Sequence, residues 1–299
     1  MYASTTTKKV TAPDLSARKA SGEKIAMVTA YDFTMARLVD EAGVDMVLVG
    51  DSLGMVVQGL STTLPVTLEE MIYHCRAVSR GLARAHLTGD MPFMSYQVSP
   101  AQAVETAGRL LKEGNCESVK LEGGLEVAEH VHRIVRAGVP VVGHVGLTPQ
   151  SVHAFGGFKV QGRGAEQAER VLSDALAIEQ AGAFAIVLEA VPPDLAAEIT
   201  RTVSIPTIGI GAGPDCDGQV LVCTDLLGLS RGHQPRFAKR FANLGNEAVD
   251  AFATFVSEVR GGTFPAAAHA YKPNSSAPPP MPRAAHDDLD APLALDLWH

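Results

Sequence analysis

The 299-residue sequence predicts an α/β protein whose eight parallel strands close into a (β/α)8 barrel. Three observations predict it. Short apolar runs alternate with stretches of helical periodicity along most of the chain. The runs are apolar on both faces, as strands are when they lie between an outer layer of helices and a barrel interior. The sharpest of them, VLVGDS, TGDMPF, SVKLEGG, VVGHVG and AIVLEA, end in an ionisable residue or a glycine cluster. If these strands run parallel, all of those ends share one rim, and that is the face where barrels of this kind carry their chemistry.

Taken in order, the elements follow from local residue choice. Residues 1–23 are rich in Thr, Ser and Lys and lack the apolar stretch of a secretory signal, so they read as an N-terminal segment. The first strand is 25–29. The next, 46–49, follows Glu41-Ala42-Gly43, where a glycine suits the left-handed residue that stops a helix. The third is 85–88, and the fourth, 118–121, follows Lys112-Glu113-Gly114. A stripe of Val127, Val131, Ile134 and Val135 marks the helix that ends at Arg136-Ala137-Gly138 and feeds the fifth strand, 139–143. The longest stripe, Ala168, Val171, Leu172, Ala175, Leu176 and Ile178, predicts a helix over 165–181, after which Gly182 leads into 185–188. The last two strands, 207–210 and 219–222, follow each other too closely for a full helix between them. That gap leaves a doubly wound open sheet as the structural alternative. The barrel domain is expected over 24–267, with a Pro-rich, disordered tail over 268–299.

Composition narrows the partners. A net charge of −8 argues against a nucleic-acid or anionic-membrane binder and for small-molecule substrates. No run of apolar residues is long enough to span a membrane. The four cysteines, Cys75, Cys116, Cys216 and Cys223, form no CxxC pair, so neither a disulfide framework nor a zinc site is expected, and the setting reads as cytoplasmic.

At the rim the ionisable residues are Asp51, Asp90, Lys120, Glu122, His144 and Glu189. Side chains two apart in a strand share a face, so Lys120 and Glu122 point together while Leu121 faces the helices; the same parity groups Val47 and Val49 with Asp51, and Val187 with Glu189. Asp51, Asp90 and Glu122 offer hard oxygens whose mutual repulsion a Mg²⁺ ion would relieve. For each aspartate taken alone, the alternative is a cap on the next helix. Lys120 suits an anionic substrate, or else a salt bridge with Glu122 or a neighbouring acid. Glu189, between Leu188 and Ala190-Val191-Pro192-Pro193, has an apolar setting suited to a carboxylate that abstracts a proton near neutral pH. Two glycine clusters are less specific. Gly209-Ile210-Gly211-Ala212-Gly213 is a weak dinucleotide signal, and 156–164 reads as a loop able to close over a substrate or as an ordinary surface loop.

In collinear order, TAYDF, VGDSLGMVVQG, TLPVTLEEMIYHC, DMPFMSY, VKLEGG, GHVGLTPQSV, FGGFKVQGRG, VLEAVP, IPTIGIGAG and RGHQPRFAKRF closely resemble the ketopantoate hydroxymethyltransferase family across about residues 10–265. The resemblance implies a TIM barrel of the phosphoenolpyruvate/pyruvate-binding type. It implies transfer of a hydroxymethyl group from 5,10-methylenetetrahydrofolate, a co-substrate, to 3-methyl-2-oxobutanoate through a Mg²⁺-stabilised enolate, giving 2-dehydropantoate for pantothenate synthesis. It places Asp51 on the metal with Ser52 beside it on the keto acid, Asp90 on metal and substrate, and Lys120 on the substrate. Glu122 completes the metal sphere, Glu189 accepts the proton, and His144 lies near the substrate. It further implies a cytoplasmic homodecamer. Two rivals stand beside it: a C–C lyase of the phosphoenolpyruvate mutase and isocitrate lyase type, and an inactive barrel scaffold. Such lyases commonly present a cysteine at a strand end, and the four thiols here are read as lying off the rim.

Overall fold

The computed structural model describes residues 8–232 and 235–272. Two compact units divide at Glu247/Ala248. In the first, the elements run α1 (Ala12–Ser21), β1 (Ile25–Thr29), α2 (Phe33–Glu41), β2 (Met46–Val49), α3 (Leu53–Val56), α4 (Leu68–Ser79), β3 (His86–Asp90), α5 (Pro100–Gly114), β4 (Ser118–Glu122), α6 (Ala128–Arg136), β5 (Val141–Gly146), α7 (Val152–Phe155), α8 (Ala165–Gln180), β6 (Ala185–Glu189), α9 (Pro193–Thr202), β7 (Thr207–Ile210), β8 (Gly218–Leu221) and α10 (Cys223–Leu226). The helix α11 (Leu244–Arg260) crosses from the first unit into the second. The sequence reading carries the barrel to residue 267, so its boundary falls later than this division. The second unit's described residues are exposed from Val249 on, with Phe255 edge-on to Phe264. From residue 273 on, the expected Pro-rich tail lies outside the described residues, as do His233 and Gln234 of the last motif.

The eight strands pair in chain order, all parallel, and β8 closes on β1 through the register Ile25↔Gly218 to Val28↔Leu221. Closure removes the open-sheet alternative. All eight expected strands are present. Four of them, β3 to β6, run farther toward their C-terminal ends than expected, so that Asp90, Glu122, His144 and Glu189 are the closing residues of strands or sit within them. β7 reaches β8 through residues 211–217 with no helix between, as the short spacing requires. With no helix N-terminus there to hold a pyrophosphate, the glycines at 209–213 are not a nucleotide fingerprint.

Alternation along the strands separates two apolar cores. The outer one packs Val47, Val49, Leu87, Val119, Leu121, Val141, Ile186 and Leu188 against helix residues such as Val131, Ile134, Val171, Ala175 and Ile178. The inner one fills the barrel with Met27, Met46, Leu48, Val142, Ala185, Val187, Ile208 and Val220. Helix ends follow the expected glycine chemistry at Gly43, Gly138 and Gly182, which have φ of 84°, 90° and 101°. At the end of α5 the left-handed residue is Asn115 instead, one position after the expected Gly114. Asparagine tolerates that conformation because its side chain can bond locally.

The N-terminal segment contains a barrel part. Thr11 caps α1 in a reciprocal capping box with Asp14, and Pro13 sits in the first turn, where its missing N–H costs nothing. Val10 and Leu15 join the inner core, and Leu15 is fully buried. The helix therefore plugs the N-terminal mouth of the barrel. Its apolar content is too slight to announce this in sequence.

Candidate active site

Parallel register brings the six ionisable residues together at the C-terminal mouth. Asp90 on β3 pairs with Lys120 on β4, and Glu122 on β4 with His144 on β5. Gly146 at the end of β5 pairs with Glu189 on β6. Lys120 and Glu122 face inward while Val119 and Leu121 face the helices, as the parity reading has it. On β6, Val187 lines the interior and Glu189 follows it.

On β2 the parity reading is corrected. Val47 and Val49 pack outward, and Met46 and Leu48 line the interior. Asp51 reaches the mouth because the strand stops at Val49 and the chain turns at Gly50. A Cβ at Gly50 would sit 2.7 Å from Ser52 Oγ and 3.3 Å from Asp90 Oδ2, so a side chain here would displace Ser52 and crowd Asp90. The turn is stitched by the Asp51 N–H donating to Asp90 Oδ2 at 3.0 Å. The helix-cap alternative for Asp51 fails, because the cap position of α3 is Ser52 and no side chain caps that end. Ser52 Oγ instead bonds the Tyr31 hydroxyl at 2.8 Å, and burial raises the pKa of Tyr31.

Charge is crowded here. Asp51, Asp90, Lys120, Glu122 and His144 are all buried. Lys120 Nζ lies 2.7 Å from Asp90 Oδ1, so the salt-bridge expectation for this lysine is met by Asp90 rather than Glu122. Burial disfavours the lysine's charge, but Asp90, Glu122 and Asp51 outweigh it and hold the ammonium form firmly. Asp51 is pushed up to about 8 by burial and by the charges of Asp90 and Glu122. Burial also raises Asp90, with Lys120 pulling the other way. His144 bridges two acids: its Nδ1 is 3.5 Å from Glu122 Oε1 and its Nε2 3.1 Å from Glu189 Oε2. Burial and Lys120 oppose its charge, but Glu122 and Glu189 carry its pKa up to about 9. Glu189 is the most open of the group, its side chain 17% exposed against 3–5% for Asp90, Lys120, Glu122 and His144.

Residues that strand ends do not announce complete the mouth. Gln150, in the turn Pro149–Ser151 after β5, touches both Asp51 and Glu122, and Tyr96 between β3 and α5 touches Gln150. Their only signal was membership of the quoted motifs GHVGLTPQSV and DMPFMSY. The loop at 156–164 is pinned by the Gln161 N–H to the carbonyl of Ala190, next to Glu189. One thiol differs from expectation: Cys223 follows the end of β8, so it is at the rim. It is buried in the outer core and its N–H donates to Thr29 Oγ1, so it does not face the mouth.

Among the described residues, no three acid, imidazole or thiol side chains draw together closely enough to enclose a metal unaided. The donor set still suits a divalent cation. It is hard oxygen, it is buried, and it is short of positive charge by enough to hold a proton on Asp51.

Comparison with known proteins agrees with this geometry. Residues 9–267 match the family model described as Ketopantoate hydroxymethyltransferase. A 3-methyl-2-oxobutanoate hydroxymethyltransferase of Anaeromyxobacter dehalogenans is 57% identical over 282 residues, covering 93% of this chain and 92% of the relative. One from Syntrophotalea carbinolica is 55% identical over 264 residues, covering 88% and 99%. In fold, the chain is similar to a phosphonopyruvate hydrolase solved with oxalate and Mg²⁺, with a TM-score of 0.56 at 14% identity over 86% of this chain and 92% of that one. A closed eight-stranded barrel, one rim of converging acids, and identity above half the positions along nearly the whole length lead to one assignment: this chain is an enzyme of the ketopantoate hydroxymethyltransferase family.

Proposed function

We propose that the C-terminal mouth of the barrel joins the methylene carbon of 5,10-methylenetetrahydrofolate to C3 of 3-methyl-2-oxobutanoate, a water supplying the hydroxyl and tetrahydrofolate leaving, so that the net hydroxymethyl transfer gives 2-dehydropantoate for pantothenate synthesis. The observation that carries the site assignment is the acid–imidazole–acid chain Glu122–His144–Glu189 beside a buried Lys120. Lys120 offers a permanent positive charge to the substrate carboxylate, and Asp90 fixes where that charge sits. Ser52, oriented by Tyr31, offers a hydroxyl on the same side. Glu189 takes the C3 proton: it is the acid with room for a substrate carbon, and the His144 imidazolium holds its carboxylate in place.

Asp51 and Asp90, with Glu122 beside them, would hold a Mg²⁺ ion whose remaining partners are water and substrate oxygens. When bound, such an ion draws electron density from the keto oxygen and so acidifies the neighbouring carbon. The phosphonopyruvate hydrolase of similar fold was solved in complex with oxalate and Mg²⁺, which is in keeping with this reading.

The assembly reading is a homodecamer in the cytoplasm. Phe252 at 70% and Phe255 at 52% exposure on α11 support an assembly, since further copies would cover them. The free, buried cysteines suit a reducing compartment, and no helix among the described residues is long and apolar enough to cross a membrane.

The test is isotope exchange. Purified protein with 3-methyl-2-oxobutanoate and Mg²⁺ in D₂O should exchange the C3 proton without folate present, and Glu189→Gln should abolish that exchange while leaving the fold intact. Native protein that leaves C3 unlabelled in the presence of Mg²⁺ would favour the scaffold reading.

A further inference from the structure

We infer that Gln150 is the positioning residue of the cation site, the one group that fixes how Asp51 and Glu122 aim relative to each other. The inference rests on the reading that these acids hold a divalent cation. Gln150 comes from the turn after β5, whereas Asp51 follows β2 and Glu122 closes β4, so three separate parts of the barrel meet at this amide.

Both polar atoms of this side chain and its backbone N–H are engaged. Its Nε2 donates to Asp51 Oδ2 at 2.9 Å and to the Met91 carbonyl at 3.0 Å. Its Oε1 accepts from the Tyr96 hydroxyl at 2.9 Å and from Gln97 Nε2 at 3.0 Å. Its backbone N–H donates to Glu122 Oε2 at 2.9 Å. The two faces of the carboxamide cannot be exchanged. The Nε2 side meets the Met91 carbonyl, a pure acceptor, and the Oε1 side meets Gln97 Nε2, a donor, so a flipped amide would set oxygen against that carbonyl and nitrogen against that donor. Tyr96 is locked in turn, because its oxygen accepts the Glu122 N–H at 3.1 Å and also lies 2.9 Å from the Glu122 carbonyl.

Each acid is thereby held by one oxygen. Gln150 occupies Asp51 Oδ2 and Glu122 Oε2, which orients the other oxygen of each carboxylate away from the amide. Asp90 is fixed separately, by Lys120 and by the Asp51 N–H. Asp51 and Glu122, which come from separate strand ends, are thereby tied to one residue. Removing partners of this kind, which orient a ligand without touching the metal, typically weakens metal affinity about 10–100-fold.

The experiment titrates Mn²⁺ alone into the full-length protein and reads free ion by electron paramagnetic resonance, with the melting temperature measured on the same samples before metal is added. The variants are Asp51→Asn, Gln150→Met and Tyr96→Phe. Gln150→Met keeps length and bulk but removes both hydrogen-bonding faces, and it should weaken Mn²⁺ binding by roughly tenfold or more. Tyr96→Phe keeps both acid contacts of Gln150 but removes one partner of its Oε1 and the acceptor of the Glu122 N–H, so it should weaken binding in the same direction and by less. It also carries the test alone if Gln150→Met does not fold. At saturating Mn²⁺, C3 exchange in both variants should recover toward the native rate, which simple damage to the fold would not allow. Native Mn²⁺ affinity in both variants, alongside a loss in Asp51→Asn, overturns the role of Gln150 and leaves the cation reading standing. A native protein with no Mn²⁺ site sensitive to Asp51→Asn overturns the cation reading and this inference with it.

Discussion

The two mouths of the barrel are built from the same residue types to opposite ends. At the N-terminal mouth, Asp45 sits between Arg18 at 2.7 Å and Arg84 at 2.9 Å and also accepts the Ala26 N–H. Lys19 meets Asp217 at 2.8 Å, and α1 lays Leu15 over the inner core. Each acid there has a cation, and the opening is sealed. At the C-terminal mouth, Asp51, Asp90, Glu122 and Glu189 share, among the described residues, only Lys120 and His144, and Asp51 is raised to about 8. Balanced charge under a plug serves stability, whereas unbalanced charge at the rim is what the proposed cation and anionic substrate would neutralise.

The contrast can be broken most sharply by Glu189→Gln, for which C3 exchange should fall about 10²–10⁴-fold with little change in melting temperature. A variant that kept its exchange rate would move the base elsewhere. Leu15→Ala at the opposite mouth should do the reverse, costing roughly 2–5 kcal/mol of unfolding free energy in a urea titration while kcat/KM stays put. A large loss of kcat/KM at full folding would mean the plug communicates with the site. Asp45→Asn should cost about 3 kcal/mol, because it leaves two partly buried guanidinium groups without their acid.

The smallest effect, and the one that sharpens the comparison most, is its pH dependence. Arg18 and the Ala26 N–H depress the Asp45 pKa against the cost of burial, so its stability contribution is present above 3.8 and lost as pH falls. The opposite mouth runs the other way. Asp51 is raised from 3.8 to about 8 and His144 from 6.5 to about 9, so what they contribute is complete below their unfolded values and lost as pH rises through the folded ones. The melting temperature of metal-free protein should therefore decline between pH 6.5 and about 9, and Mg²⁺ should reverse much of that decline at the alkaline end. A flat profile in this range, with and without Mg²⁺, would mean the acids at the rim are not short of positive charge.

Most of the barrel was legible because its signals are local. Short runs apolar on both faces and helix-stopping residues located all eight strands, and Lys120, Glu122 and Glu189 lie inside strands whose alternation decides their direction. The misreadings fall where regular structure stops. Parity failed for Asp51 because the chain leaves the strand at Val49 and turns at Gly50. Leu15 was missed because a plug needs only one buried leucine, which makes no stripe.

By itself the sequence determined the alternation of strand and helix, the family, and the identity of the acids that gather at one rim, since each depends on residues near one another in the chain. Only the tertiary structure decided closure of β8 on β1, the sealing of one mouth by α1, and the joining of Asp51 to Glu122 through Gln150. Gln150 lies 28 residues from Glu122 and 99 from Asp51, and Lys19 of α1 lies 198 from Asp217; hydrogen bonds and ion pairs at such separations have no periodicity to betray them before the strands are packed.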